Sequence, residues 1–230
     1  MRDFSVNPKH MRELSDLKEM GEMFKWGDIA KSRLDLVLTY AGRCILDIGC
    51  ASGGYVNELL KRGYNVYGID LFLRPIQKSI TNRLILGDAT DLPFRENSFD
   101  TILLFNVLEH VDDIKVLSEV YRVCKQNIVF SVPNQKEVEI GYYGLTYHPY
   151  VDVTHLRYYT PQSIKKILTE SGFEIKHIHH TGHINPLGLA LHMLRLPHWF
   201  NFKIGKILEV LPFSKKYYMT IEGVATKLPK

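Results

Sequence analysis

Eight residues, Asp47-Ile48-Gly49-Cys50-Ala51-Ser52-Gly53-Gly54, constrain this chain more than any other stretch. An apolar β-type run, CILDIG at 44–49, leads into them, and YVNELLKRG at 55–63 follows with helical spacing and a closing Gly63. Strand, glycine turn and helix in succession form the opening unit of a wound α/β fold. Glycines at such a turn let the backbone approach a bound molecule closely, because no side chain intervenes.

The same texture continues downstream. NVYGID at 65–70, LILGD at 84–88, FDTILLF at 99–105 and NIVFSV at 127–132 are short apolar runs, and DDIKVLSEVYRVC at 112–124 has helical spacing. Continuous apolar strands alternating with helices predict a doubly wound α/β sheet covered on both faces. Later, TPQSIKKILTESG at 160–172 predicts a helix with Thr160 as N-cap, Pro161 in the first position and Gly172 at its end. Two further β-type runs, FEIKHIHH at 173–180 and YMTIEGVATK at 218–227, flank an apolar, amphipathic stretch at 185–213. Before the first strand, the apolar rhythm of 10–40 predicts a helical cap over 1–42. No internal repeat or low-complexity linker divides the 230 residues, so one domain is expected. Its parts are the cap at 1–42, a cofactor-binding half at 43–133 and a substrate-side half at 134–230.

Composition narrows the class. The formal charge of +4 comes from scattered Lys and Arg, without the basic stripe that nucleic-acid binding requires. No apolar run approaches the roughly 18 residues of a membrane span. The first residues lack the apolar core of a signal peptide. Cys44, Cys50 and Cys124 are odd in number with no Cys-x-x-Cys spacing, as expected of reduced thiols in a cytoplasmic protein.

Charge tells which molecule suits the turn. Asp70 ends the second strand, where an acid can accept hydrogen bonds from both hydroxyls of a ribose. Gly49-x-Ala51-x-x-Gly54 is close to the dinucleotide fingerprint, but Asp47 beside it would repel a pyrophosphate. S-adenosylmethionine has no phosphate, and it carries a sulfonium and an ammonium against one carboxylate. Asp47, Asp70 and Asp88, at three successive strand ends, suit that cationic ligand. Asp47 is expected to face the ammonium, and Asp88 to accept the adenine amino group. A nicotinamide-dependent oxidoreductase is the disfavoured alternative.

ILDIGCASGGYVNELLKRGYNVYGID, GDATDLPFRENSFDTILLFNVLEHVDD and HLRYYTPQSIKKILTESGFE together resemble the successive motifs of class I S-adenosylmethionine-dependent methyltransferases, in the small-molecule branch that includes quinone-biosynthesis enzymes. The resemblance implies a seven-stranded, mostly parallel, Rossmann-like sheet whose last strand is antiparallel. It implies that Gly49, Cys50, Ala51 and Gly53 wrap the methionine moiety, that Asp70 holds the ribose, and that Leu71 lies beside the adenine. Asp88 and the backbone of Ala89 would read the adenine edge, and Phe105 and Asn106 would meet the methionine end. The family usually has glycine where this chain has Ala51, which implies a displaced or weaker cofactor site. Arg33 matches an arginine that pairs with the cofactor carboxylate in some relatives; the alternative is a solvated charge on a helix face.

On the acceptor side, His155 and His110 are the candidate catalytic groups, because a hydroxyl acceptor needs help losing its proton. Tyr147, His155, Arg157 and Tyr158 are the candidate substrate contacts, in an aromatic segment, 141–159, that also holds His148. The structural alternatives are that His110 caps the turn into the next helix, and that Asp152, His155 and Arg157 pair with one another. His177, His179, His180 and His183 are spread over both faces of a strand, so a solvated strand end is expected and no metal site. Residues 185–213 read as a lid, as an interfacial helix reaching a membrane surface or a lipid-tailed substrate, or as helices buried on the sheet or in a homodimer. The expected activity is methyl transfer to a small molecule, with oxygen the favoured acceptor atom. A regulatory protein that binds the cofactor without turnover is the alternative.

Overall fold

The computed structural model describes residues 29–77, 79, 81–134, 154–184 and 217–229. The expected helix within 10–28, Tyr147, His148 and the whole of 185–213 lie outside the described residues.

Seven strands form one sheet in the order β3-β2-β1-β4-β5-β7-β6. They are β1 (Cys44–Ile48), β2 (Asn65–Asp70), β3 (Leu84–Leu86), β4 (Phe99–Phe105), β5 (Cys124–Pro133), β6 (Phe173–Ile184) and β7 (Tyr217–Lys227). The β3-β2-β1-β4-β5 ladder is parallel throughout, and β7 runs antiparallel to both β5 and β6. The antiparallel last strand is therefore present, inserted between β5 and β6. The chain steps outward from β1 to β3 and then returns to the other side of β1 as β4. That reversal opens a crevice at the C-terminal ends of β1 and β4, where ligands of such sheets bind.

Both faces of the sheet are covered, which explains why its strands are continuously apolar. On one face Leu46, Ile102, Leu104, Ile128 and Phe130 meet Val116, Leu117 and Val120 of α4 (Asp113–Val123) and Ile164 and Leu168 of α5 (Pro161–Glu170). On the other, Ile45, Leu103, Val129 and Val224 pack with Leu36 and Val37 of α1 (Lys31–Tyr40) and Val56 and Leu59 of α2 (Gly54–Lys61). So α1 is a layer of the core, and it carries Arg33 to the crevice beside Asn106 and Phe105.

Local chemistry sets the element ends. Thr160 caps α5 through a reciprocal capping box with Ser163, and Pro161 follows it. Asp112 caps α4 by accepting from Lys115 N, so the structural role proposed for His110 as a cap is filled by another residue. Two short elements carry no sequence signal: α3 (Leu73–Gln77) and a 3-10 turn at Leu108–His110. Among the described residues, no helix is long and apolar enough to cross a membrane.

Candidate functional site

The glycine turn is held by the second strand. Gly49 N and Cys50 N both donate to Ile69 O, at 2.8 and 3.2 Å, and Gly53 N donates back to Cys50 O at 2.8 Å. At Gly49 φ is 71°, and a Cβ there would meet Val107 at 2.6 Å, so only glycine fits. Ala51 also takes a left-handed conformation, with φ of 48°. For an L-residue with a Cβ this costs about 1 kcal/mol. Asn106, across the crevice at the end of β4, is left-handed too, with φ of 54°. Strained backbone of this kind collects at functional sites.

Two acids lie under the turn. Asp70 is 8% exposed; its Oδ2 accepts from Ala51 N at 2.8 Å and its Oδ1 from Phe72 N at 2.9 Å. It thereby ties the glycine turn to the loop after β2. Burial raises its pKa although these amides oppose the shift. Asp47 is 3% exposed, and burial, then the neighbouring Asp70, push its pKa up to about 8. A buried acid pair of this kind gains most from an incoming cation. The thiol of Cys50 packs against Gly68 of β2, and burial raises its pKa.

Leu71 is half exposed beside Asp70. Asp88 stands two residues beyond the end of β3, not at it, and its Oδ1 accepts from both the amide and the hydroxyl of Thr90 at 2.8 Å. Ala89 packs against the core at the same turn.

Across the crevice, Phe105 stacks at 4.7 Å on Tyr55, and the Arg33 guanidinium sits 5.5 Å from the Phe105 ring centre. Arg33 donates to Glu222 Oε1 at 3.1 Å and to Asn106 Oδ1 at 3.4 Å, and Asn106 Oδ1 also accepts from Ser131 Oγ at 3.1 Å. The solvated helix-face reading of Arg33 is thereby corrected: the side chain is committed to a buried carboxylate on β7. Glu222 is 2% exposed, and His179 Nε2 lies 3.5 Å from its Oε2. Glu222, on the neighbouring strand, thus faces the histidine-rich strand. Burial lowers the pKa of His179, with Glu222 opposing that shift. Sequence reasoning missed Glu222, whose signal was a lone acid inside the apolar run 221–225.

Beyond Asn106 the chain enters the 3-10 turn. Glu109 is fully buried there, and its carbonyl accepts from Leu156 N at 2.7 Å. That bond brings in the second segment: the His110 and His155 rings meet edge-on at 4.6 Å, and His155 packs on Tyr158 at 5.6 Å. His110 Nδ1 is 2.8 Å from Thr154 Oγ1. Arg157 donates to Leu108 O at 3.2 Å and to Val111 O, and pairs with Asp113 at 3.2 Å. Tyr159 donates to Asp113 Oδ2 at 2.7 Å. Arg157, expected at the substrate, is thus held by the protein itself, with Asp113 as a carboxylate partner; Asp152 of the expected trio lies outside the described residues. The structure brings His110 and His155 together and adds Glu109, which sequence reasoning did not single out.

A family model described as a methyltransferase domain matches residues 23–178. An uncharacterized protein of Methanocaldococcus jannaschii is 37% identical over 82 residues, covering 35% of this chain and 36% of that one. A demethylmenaquinone methyltransferase of Paenarthrobacter aurescens is 30% identical over 125 residues, covering 52% of this chain and 48% of that one. The chain therefore spans half or less of the length of these two relatives. Among solved structures, the magnesium protoporphyrin IX methyltransferase of Synechocystis, with bound SAH, shares the fold with a TM-score of 0.63 at 15% identity, covering 96% of this chain and all of that one.

Proposed function

Because the chain belongs to the class I S-adenosylmethionine-dependent methyltransferase family, we propose that the whole protein passes a methyl group from this cofactor to an oxygen of a small-molecule acceptor. The observation that carries the proposal is the buried Asp47–Asp70 pair beneath a strained glycine turn, facing Asn106 and Phe105 across the crevice. Two desolvated carboxylates favour a cationic ligand and disfavour the pyrophosphate of a dinucleotide.

In this assignment Asp47 neutralises the cofactor ammonium and Asp70 accepts the ribose hydroxyls beside the backbone bonds it already holds. Gly49, Cys50, Ala51 and Gly53 line the methionine through their backbone, and Leu71, Asp88 and Ala89 border the adenine. Arg33, Phe105 and Asn106 close the methionine end, with Arg33 shared between Glu222 and the cofactor carboxylate. The acceptor oxygen attacks the sulfonium methyl in line. The new O–C bond forms as the C–S bond breaks, its electron pair goes to sulfur, and S-adenosylhomocysteine leaves. Because the leaving sulfur starts cationic, alignment and exclusion of water supply most of the help. The acceptor stands on the His110, His155 and Tyr158 side, and the acceptor hydroxyl must lose its proton there. The small-molecule class draws support from the demethylmenaquinone relatives. Calorimetric titration with S-adenosylmethionine and with NAD tests the cofactor: micromolar binding of the first and none of the second is expected, and the reverse would overturn the proposal.

A further inference from the structure

We infer that Glu109, His110 and His155 form a binding site for one divalent transition-metal cation on the acceptor side of the crevice. Their ligand atoms all lie within 4.8 Å of one another. Two ligands on one cation, each at roughly 2.2 Å, stand at most about 4.4 Å apart, so small side-chain adjustments close the site. Two imidazoles and a carboxylate are a donor set for Mn2+, Fe2+, Co2+ or Zn2+, and three ligands leave positions for an acceptor oxygen.

Three features of the surroundings support the site. Glu109 is fully buried, and a carboxylate attracts a divalent cation more strongly in such low-dielectric surroundings than in water. The Thr154 hydroxyl at His110 Nδ1 orients the ring, as an outer partner of a metal-bound histidine does. The ligands come from segments 45 residues apart, and Leu156 N on Glu109 O, together with Arg157 and Tyr159, fixes one segment on the other. The site begins three residues after Asn106 in the chain. Resting on the methyltransfer assignment, the cation would hold the acceptor oxygen and acidify its hydroxyl, whose proton leaves to solvent before transfer.

The test uses the full chain without an affinity tag, stripped with EDTA and titrated with Co2+ by visible absorption and with Mn2+ by electron paramagnetic resonance. One saturable equivalent is expected, weakened at least about a hundredfold in Glu109→Gln and His155→Ala and about tenfold in Thr154→Val. His179→Ala, on β6, should bind like the parent. Melting temperature and S-adenosylmethionine titration of each variant check that it is folded, and Thr154→Val serves should the other two fail to fold. No saturable binding of Co2+, Mn2+ or Zn2+ by the parent would overturn the site, as would parent-like binding in the folded variants. Cofactor binding without metal binding sinks this inference alone; metal binding without cofactor binding sinks the methyltransfer assignment alone.

Discussion

The two sides of the crevice are built by different means. The cofactor side is local: residues 47–53, Asp70 and the backbone of Ile69 and Phe72 make it from one strand–turn–helix unit and the end of the next strand. The acceptor side is assembled from distance. Glu109 and His110 meet His155 because Leu156 N bonds Glu109 O while Arg157 and Tyr159 grip the 3-10 turn and Asp113. The first should fail by losing ligand contacts, and the second by losing chemistry or its brace.

The largest expected effect lies on the acceptor side. His155→Ala should lower turnover by about 10²–10⁴-fold, the range for assisted proton removal, with cofactor affinity unchanged. Steady-state kinetics beside calorimetry checks it; equal loss of both would show that the two sides are not separable. Arg157→Ala tests the brace. It should lower the melting temperature, because the Leu108 and Val111 carbonyls and Asp113 each lose a donor.

Next comes Asp70→Ala, which should weaken S-adenosylmethionine binding at least about tenfold, since bonds to a charged acceptor are worth about 1.5–3 kcal/mol. Ala51 N and Phe72 N also lose their partner, so stability falls as well. Asp70→Asn, which keeps one acceptor oxygen, should fall between. Affinity unchanged in both would break the cofactor assignment.

A smaller effect follows from Asp47, whose pKa of about 8 is raised by burial and by Asp70. Below that value the unliganded acid holds a proton, and the cofactor ammonium favours the ionised form, so binding releases the proton. Affinity should therefore rise with pH, by about fivefold between pH 7 and pH 8, and level above it. The cofactor's own amino group titrates in the same range, and Asp47→Asn separates the two contributions. The excess pH dependence should vanish in that variant; its persistence would place the titrating group elsewhere.

The smallest effect belongs to Ala51. Relief of its left-handed strain in Ala51→Gly, offset by the freer unfolded chain, should change stability by about 0–1 kcal/mol in the favourable direction. Cofactor affinity should equal or exceed the parent's. A clear loss would mean that the methyl group is a contact rather than a crowding.

The same contrast governs what the sequence disclosed. The strands at 65–70 and 99–105 were legible to the residue, because burial on both faces demands continuous apolar runs there. The turn was legible because its chemistry is contiguous. Arg33 was only half legible, since its partner Glu222 lies 189 residues away on a strand inserted between two others. Glu109 escaped notice because a buried acid next to a histidine looks no different in sequence from a solvated one. His110 looked like a cap because Asp112, two residues on, was overlooked.

The central claim is methyl transfer itself, and one measurement reaches it most directly. The protein would be incubated with methyl-labelled S-adenosylmethionine and fractionated small-molecule pools, with label in products and S-adenosylhomocysteine read together. The account predicts label on an oxygen of one acceptor, matched mole for mole by S-adenosylhomocysteine. Tight cofactor binding with no S-adenosylhomocysteine from any pool would contradict it, and would mark the chain as a protein that holds the cofactor without using it.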